Sequence, residues 1–199
     1  MKYFTSDWHL GHKNILKYSN RPFENIDEMD NAIFRMVMET TKPGDEIYLL
    51  GDMGSLDAIK RFFEKFPKDR GFHWIEGNHD KNYACQFKKR LASISTLKDV
   101  KIDGVHTILC HYPMLTWNRS HYNNWHLFGH HHIGGHGSEG IAQRTVGKML
   151  NVNLEFNNYK MYSEKDIRRI MERKEDNWDY IPTGRDPDQK VKLHRWEGI

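Results

Sequence analysis

The stretch LFGHHHIGGHG, residues 127–137, puts His130, His131, His132 and His136 into the middle of the chain. Histidines at this density read either as a metal site or as a solvated polar loop, and the glycines alone fit the loop. The choice depends on whether distant parts of the chain supply more ligands. Several short apolar runs do end in such groups: KYFTSD at Asp7 with His9 just beyond, DEIYLLGD at Asp52, FHWIEGNHD at Asn78 and His79, HTILCHYP at His111, and WHLFGHHH at His130 and His132. Two carboxylates, an amide and several imidazoles form a mixed nitrogen and oxygen set. Such a set suits manganese, iron, zinc or nickel better than magnesium or a metal selected by thiolates. It is too large for one four-coordinate ion and about right for two divalent ions sharing a bridging carboxylate.

The elements that must position these groups follow from periodicity. Apolar runs of this length, bounded by Gly, Asn and Pro, read as buried strands. Between them, Met29, Ala32, Ile33, Met36 and Val37 recur at helical spacing, which predicts a helix over Asp27–Thr41 stopped by Pro43-Gly44. Ser55 N-caps a second helix through Ile59, Phe62, Phe63 and Phe66 to Pro67, and a third is expected from about Asn82 to Ala92. Strands alternating with helices give βαβ units and a largely parallel sheet in the first half. In open α/β sheets ligands sit beyond the carboxyl ends of the strands, where all the groups above fall. After His111 the helical signal fades until Ser163–Arg173, which opens on the capping box Ser163-x-x-Asp166. The later strands, KMLNVNLEF near 148–156 included, are therefore expected to be antiparallel and hairpin-connected.

The 199 residues suit a single domain, with about 174–199 as a polar C-terminal tail carrying Trp178, Tyr180 and Trp196 as docking points. A hydrophobic fraction of 38% with 29% charged residues describes a soluble globular chain. There is no run of eighteen apolar residues and MKYFTSDWHL lacks a signal-peptide core, so the expected location is the cytoplasm, away from membranes. Cys85 and Cys110 are too few for a disulfide framework. A net charge of +3 does not by itself point to nucleic acid.

Taken in order, Asp7-Trp8-His9, Gly51-Asp52, Gly77-Asn78-His79-Asp80, His111 and Gly129-His130-His131-His132 resemble the motif series of the calcineurin-like metallophosphoesterases, and this chain looks like a small single-domain member. The resemblance implies a four-layer αββα sandwich of two mixed sheets flanked by helices. It implies that Asp7, His9 and His132 hold one metal, that Asn78, His111 and His130 hold the other, and that Asp52 bridges them. Manganese is the first expectation for the ions, with iron, zinc or nickel as alternatives. Residues i and i+2 on a strand share a side, so Asp7 with His9 and His130 with His132 would converge while Trp8 and His131 point away. His136 stays unassigned.

Two divalent ions about 3.5 to 4 Å apart bind a phosphoryl oxygen and activate a bridging water or hydroxide. With only Asp7 and Asp52 charged among the ligands, excess positive charge remains for a phosphate anion. The resemblance places His79 against the scissile phosphate as the catalytic proton donor to the leaving oxygen. Asp80 either holds the His79 ring, as a second catalytic residue, or caps a helix. His12 and Arg119 are candidate substrate contacts. Arg119 lies in the segment YPMLTWNRSHYNNWHLFG, which offers rings for stacking a base, although Trp117 and Trp125 read first as packing anchors. The chain has no room for a capping domain, and an open rim favours a phosphodiester, nucleotide-like or a nucleic-acid end, over a phosphomonoester on a small metabolite or phosphoprotein. A non-catalytic interaction scaffold on the same fold would have lost ligands, and none of the matched positions is lost. No protein partner is evident.

Overall fold

Alternation in the first strands decides the layering. The computed structural model describes residues 1–80, 83–133 and 145–181. In β1 (Lys2–Thr5), β2 (Glu46–Leu50) and β3 (Gly71–Ile75) successive side chains leave on opposite faces. Ile47, Leu49, Phe72 and Trp74 enter one buried cluster, whereas Phe4, Tyr48, Leu50 and Ile75 enter another. A sheet apolar on both faces must be covered on both.

The first cover is helical. Helices α1 (Ile15–Tyr18), α2 (Ile26–Thr40) and α3 (Leu56–Lys65) bury Ile15, Met29, Ile33, Val37, Ile59, Phe62 and Phe63 against that sheet. Asn25 caps α2 by accepting from the Glu28 N–H at 2.9 Å. Phe62 and Phe63 both pack on the Phe72 ring, with centroids 5.9 and 5.2 Å away. Each such side chain contributes roughly 1.5–3 kcal/mol of burial. Between Lys81–Asn82, which lie outside the described residues, and β4 (Ser93–Ser95), the expected third helix is a 3-10 helix at Tyr83–Arg90.

The second cover is another sheet: β5 (Leu97–Ile102), β6 (Val105–Cys110), β7 (Trp125–Phe128) and β8 (Met149–Asn151), in that spatial order. Val100, Ile102, Leu109, Leu127 and Val152 meet Phe4, Leu50 and Ile75 in the inter-sheet core. The first sheet runs β4-β3-β2-β1-β9, parallel except for β9 (Tyr162–Ser163) against β1. Helix α4 (Glu164–Glu172) follows at once, its capping box formed between Ser163 and Asp166 as the sequence predicts, and adds Ile167 and Met171 to the inter-sheet core. The chain is thus an α/β structure of two mixed sheets flanked by helices.

Two expectations are corrected here. Among the described residues only β5 and β6 form an antiparallel hairpin, turned by Asp103 and Gly104 at positive φ. Strands β6, β7 and β8 are mutually parallel, joined by long segments that carry no α-helix among the described residues, only a 3-10 turn at Ser120–Tyr122, which is why helical periodicity gave no hint of crossovers. KMLNVNLEF is a strand only over Met149–Asn151 and then tightens into a 3-10 turn at Leu154–Asn157. The described part of the polar tail docks on the body of the fold. Buried Asn177 donates to the Ser120 and Asn124 carbonyls, and Trp178 donates to the Leu115 carbonyl, so residues to 181 clamp the 113–124 segment. Residues 182–199, with His194 and Trp196, lie outside the described part, as does His136.

Candidate metal centre

Parallel strands all deliver their carboxyl ends to one edge, and here both sheets do so at the same edge. The backbone N–H groups of Asp7 and His9 donate to the carbonyls of Gly51 and Asp52, lacing the ends of β1 and β2 together. The candidate ligands lie just past the strands, not within them. Asp7, His9, Asp52 and His130 all have positive φ, at 58, 52, 57 and 71°. This conformation is uncommon for residues other than glycine and gathers at functional sites, where the surrounding structure must enforce it. Strand alternation is therefore not what separates the ligands from their neighbours. Trp8 still turns inward, fully buried on Phe62 and Phe72. His131 is fixed through its carbonyl, which accepts from Asn151 and Asn153.

Glycines make the close approach possible. A Cβ on Gly51 would fall 2.3 Å from His111 Nδ1, one on Gly77 2.4 Å from Asp52 Oδ1, and one on Gly129 2.5 Å from Asp7 Oδ2. Each precedes a candidate ligand, so no side chain larger than hydrogen fits where the loops meet.

Two donor groups result. Asp7, His9 and His132 offer atoms within 4.8 Å of one another, as do Asp7, Asp52 and His111. Nε2 of His9 and Nε2 of His132 are 3.2 Å apart. Asn78 Oδ1 lies 3.0 Å from His111 Nε2 and 3.2 Å from His130 Nδ1. Between the groups, Asp52 Oδ2 stands 3.6 Å from His9 Nε2 and 3.5 Å from His111 Nε2, while its Oδ1 accepts from the His79 N–H.

The chemistry of this set fits divalent metals. The His111 Nδ1–H donates to the Leu50 carbonyl at 2.8 Å, and His132 Nδ1 is 2.8 Å from Glu155 Oε1; each bond leaves Nε2 directed at the cluster with its lone pair. Burial holds His9 neutral, well below the usual histidine range, with the nearby His132 acting in the same direction, and lowers His130 to about 4. Burial also pushes Asp7 up to about 6 against the pull of His132 and His111. Burial opposes charge on His132, but the Glu155 and Asp7 carboxylates raise it above the usual histidine range, and a metal ion at this cluster would take the place of that proton beside the buried Asp7 and Asp52.

Two residues that sequence reading missed hold this arrangement. Glu155 accepts from His132 and from the Ile133 N–H. Arg21, wholly buried, pairs with Glu155 at 2.7 Å and donates to the carbonyls of Asp7 and Trp8. The usable signal was the general need of a ligating histidine for a carboxylate behind it; nothing local marks Arg21.

Two sequence expectations change. Asp80 does not reach back to His79: its buried carboxylate accepts from the N–H groups of Asp52, Met53 and Gly77 and from Trp74 Nε1. It locks the Gly51-Asp52 and Gly77-Asn78 loops together. Arg119 lies with Gly104, Val105 and Lys148 at the amino-terminal end of the second sheet, opposite the cluster, so it is not a substrate contact there. His12 and His79 are beside the cluster. Both line a cavity of about 210 Å³ with His9, Ser55 and Tyr83, and their rings are 6.5 Å apart.

Fold and cluster together define a class of protein: two mixed sheets between helices, presenting carboxylate, imidazole and amide ligands at one shared edge. Residues 3–154 match the calcineurin-like phosphoesterase superfamily domain, and the chain belongs to that superfamily, whose members are generally metal-dependent phosphoesterases. It is 31% identical over 173 residues to the uncharacterized protein MJ1445 of Methanocaldococcus jannaschii, spanning 86% of this chain and 91% of the relative. It is also similar to the crystal structure of AQ665 from Aquifex aeolicus, a protein of unknown function, with a TM-score of 0.63 and 26% identity, covering 85% of this chain and 98% of the other.

Proposed function

We propose that this protein is a dinuclear metal-dependent phosphodiesterase. The observation that carries the reading is Asp52 Oδ2, set almost equally far from His9 Nε2 and His111 Nε2, the place a carboxylate shared by two ions would take. On this reading Asp7, His9 and His132 hold one ion, Asn78, His111 and His130 the other, and Asp52 both. The bound ions supply Lewis-acid stabilisation of the phosphoryl oxygens and an activated water.

The chain's own residues do the rest. His79 is exposed beside the cluster, its backbone fixed by Asp52, and donates a proton to the leaving oxygen. Asp80 sets the loop that carries it. Glu155, held by Arg21, keeps the His132 ring oriented. Cavities on two sides of the cluster support a diester, whose phosphate carries an organic group in two directions.

Metal content by plasma mass spectrometry, followed by turnover of monoester, diester and cyclic-nucleotide reporters with Mn, Ni, Zn and Mg, tests the proposal. Two equivalents of metal and hydrolysis of diesters are expected. Folded protein that takes up no transition metal would defeat it.

A further inference from the structure

The two cavities beside the cluster share no lining residue among the described ones, and they differ in kind. The cavity next to His79 holds about 210 Å³, and its walls offer the polar groups of His12, Ser55 and Tyr83. His12 Nδ1 is buried there without a hydrogen-bond partner, and Ser55, at the N-cap of α3, does not spend its hydroxyl on capping. The groove on the Asn78 side holds about 500 Å³ and is lined by Glu76, Thr96, Leu97 and Tyr112. Its volume lies within the roughly 300–1,000 Å³ typical of sites for ligands of drug size, and the His79 cavity lies below that range.

The groove carries apolar surface that folding does not need. Leu97 is 48% and Tyr112 44% exposed, although each follows or opens a strand that buries apolar residues such as Ile102 and Leu109. Tyr112 stands edge-on to the rings of His111 and His130, at 5.1 and 4.9 Å, so its position is fixed relative to the cluster. An exposed aromatic ring held beside a phosphate site is a stacking platform for a flat group attached to that phosphate. Glu76, in the same wall, repels a second phosphate and so selects an uncharged group.

We infer that the site has a polarity: the ester group retained on phosphorus is a nucleoside-sized aromatic lying in the groove against Tyr112 and Leu97, and the smaller, polar leaving alcohol departs into the cavity of His79 and His12. The inference rests on the phosphodiesterase reading and adds to it which arm goes where. In the reaction water adds its oxygen to phosphorus, the bond to the leaving oxygen breaks, and that oxygen takes a proton. The retained ester bond is untouched.

Two chromogenic diesters with one leaving group separate the arms: thymidine 5′-(p-nitrophenyl phosphate) and methyl p-nitrophenyl phosphate, with p-nitrophenyl phosphate as the monoester. The expected result is a preference for the thymidine ester in kcat/KM, carried in KM, that falls roughly tenfold in Tyr112→Ala and by a smaller factor in Leu97→Ser. Equal losses on both diesters would show that Tyr112 only packs against His130 and would overturn the inference. A second probe needs no turnover: saturation-transfer NMR with thymidine 5′-monophosphate should label the thymine protons in the wild-type protein, lose that label in Tyr112→Ala and weaken it in Leu97→Ser. If no ester is hydrolysed with any metal, the phosphodiesterase reading fails, and the NMR result alone decides the groove; absence of transfer to the wild-type protein would then overturn the inference as well.

Discussion

At the scale of single residues, the proposed centre divides labour between groups that touch the reaction and groups that aim them. His79 belongs to the first kind, since it lines the cavity next to the cluster while its backbone, not its ring, is tied to Asp52. His79→Ala is therefore expected to lower kcat on alkyl esters by about 10²–10⁴, the usual contribution of a positioned acid, while bound metal stays at wild-type stoichiometry. Turnover that survives at the wild-type rate would remove His79 from the mechanism. Glu155 belongs to the second kind. Burial opposes its charge, but the hydrogen bond from His132 and the charge of Arg21 hold its carboxyl below the usual glutamate range. Glu155→Gln keeps the shape but weakens the acceptor behind His132, so metal affinity should drop about 10- to 100-fold in a chelator competition. An unchanged affinity would mean that Asp7 and His9 hold the ion without help from that ring. The resemblance of five motif blocks supplied the proposed ligands from sequence alone, whereas Arg21 and Glu155 lie far apart along the chain, 134 residues from one another, and only the fold joins them.

At the scale of elements, the loops between strand and helix do more than connect. Gly77→Ala would place a methyl group 2.9 Å from the Asp52 N–H and closer still to its carboxylate. The two loops that Asp80 ties together cannot both keep their paths, so loss of high-affinity metal binding is expected before loss of secondary structure, read by calorimetric titration and circular dichroism on one sample. Intact metal binding in that variant would show that the loops have slack. Strand β7 offers a separate test through pH. His126 is fully buried, donates through Nδ1 to the Ile108 carbonyl and accepts from the Met114 N–H, and burial lowers it to about 4 from 6.5. The unfolded chain takes up this proton first as pH falls. His126 therefore favours the folded state fully above pH 6.5, and this is lost progressively down to about pH 4, amounting to about 3 kcal/mol. In His126→Gln, urea unfolding between pH 6.5 and 4 should lose less stability than in the wild type; parallel curves would contradict the burial argument. The periodic elements were readable because α2, α3 and α4 repeat apolar residues every three or four positions. The parallel run of β6, β7 and β8 was not, because its connections carry no period at all.

At the scale of the whole molecule, the cluster is where the two sheets are joined at their open edge. Asp7, His9, Asp52 and Asn78 leave the first sheet; His111, His130 and His132 leave the second. Elsewhere the sheets meet through apolar side chains such as Phe4, Leu50, Leu109 and Leu127, whose attraction is not directional. At the edge they meet through polar groups held under strain: a buried Asp7 displaced toward protonation, and Asp7, His9, Asp52 and His130 at positive φ. Metal binding should for this reason stabilise the fold as well as enable chemistry. Binding to the folded state alone contributes about 2.7 kcal/mol per site when free metal is a hundredfold above Kd. Scanning calorimetry of protein stripped with a chelator, then titrated with Mn, is expected to raise Tm stepwise with metal concentration. Asp52→Asn, which removes the shared charge, should reduce the rise for both ions together, whereas His132→Ala should reduce it for one. A Tm indifferent to metal would mean that the apolar core alone sets the distance between the sheets and that the cluster is a passenger on it.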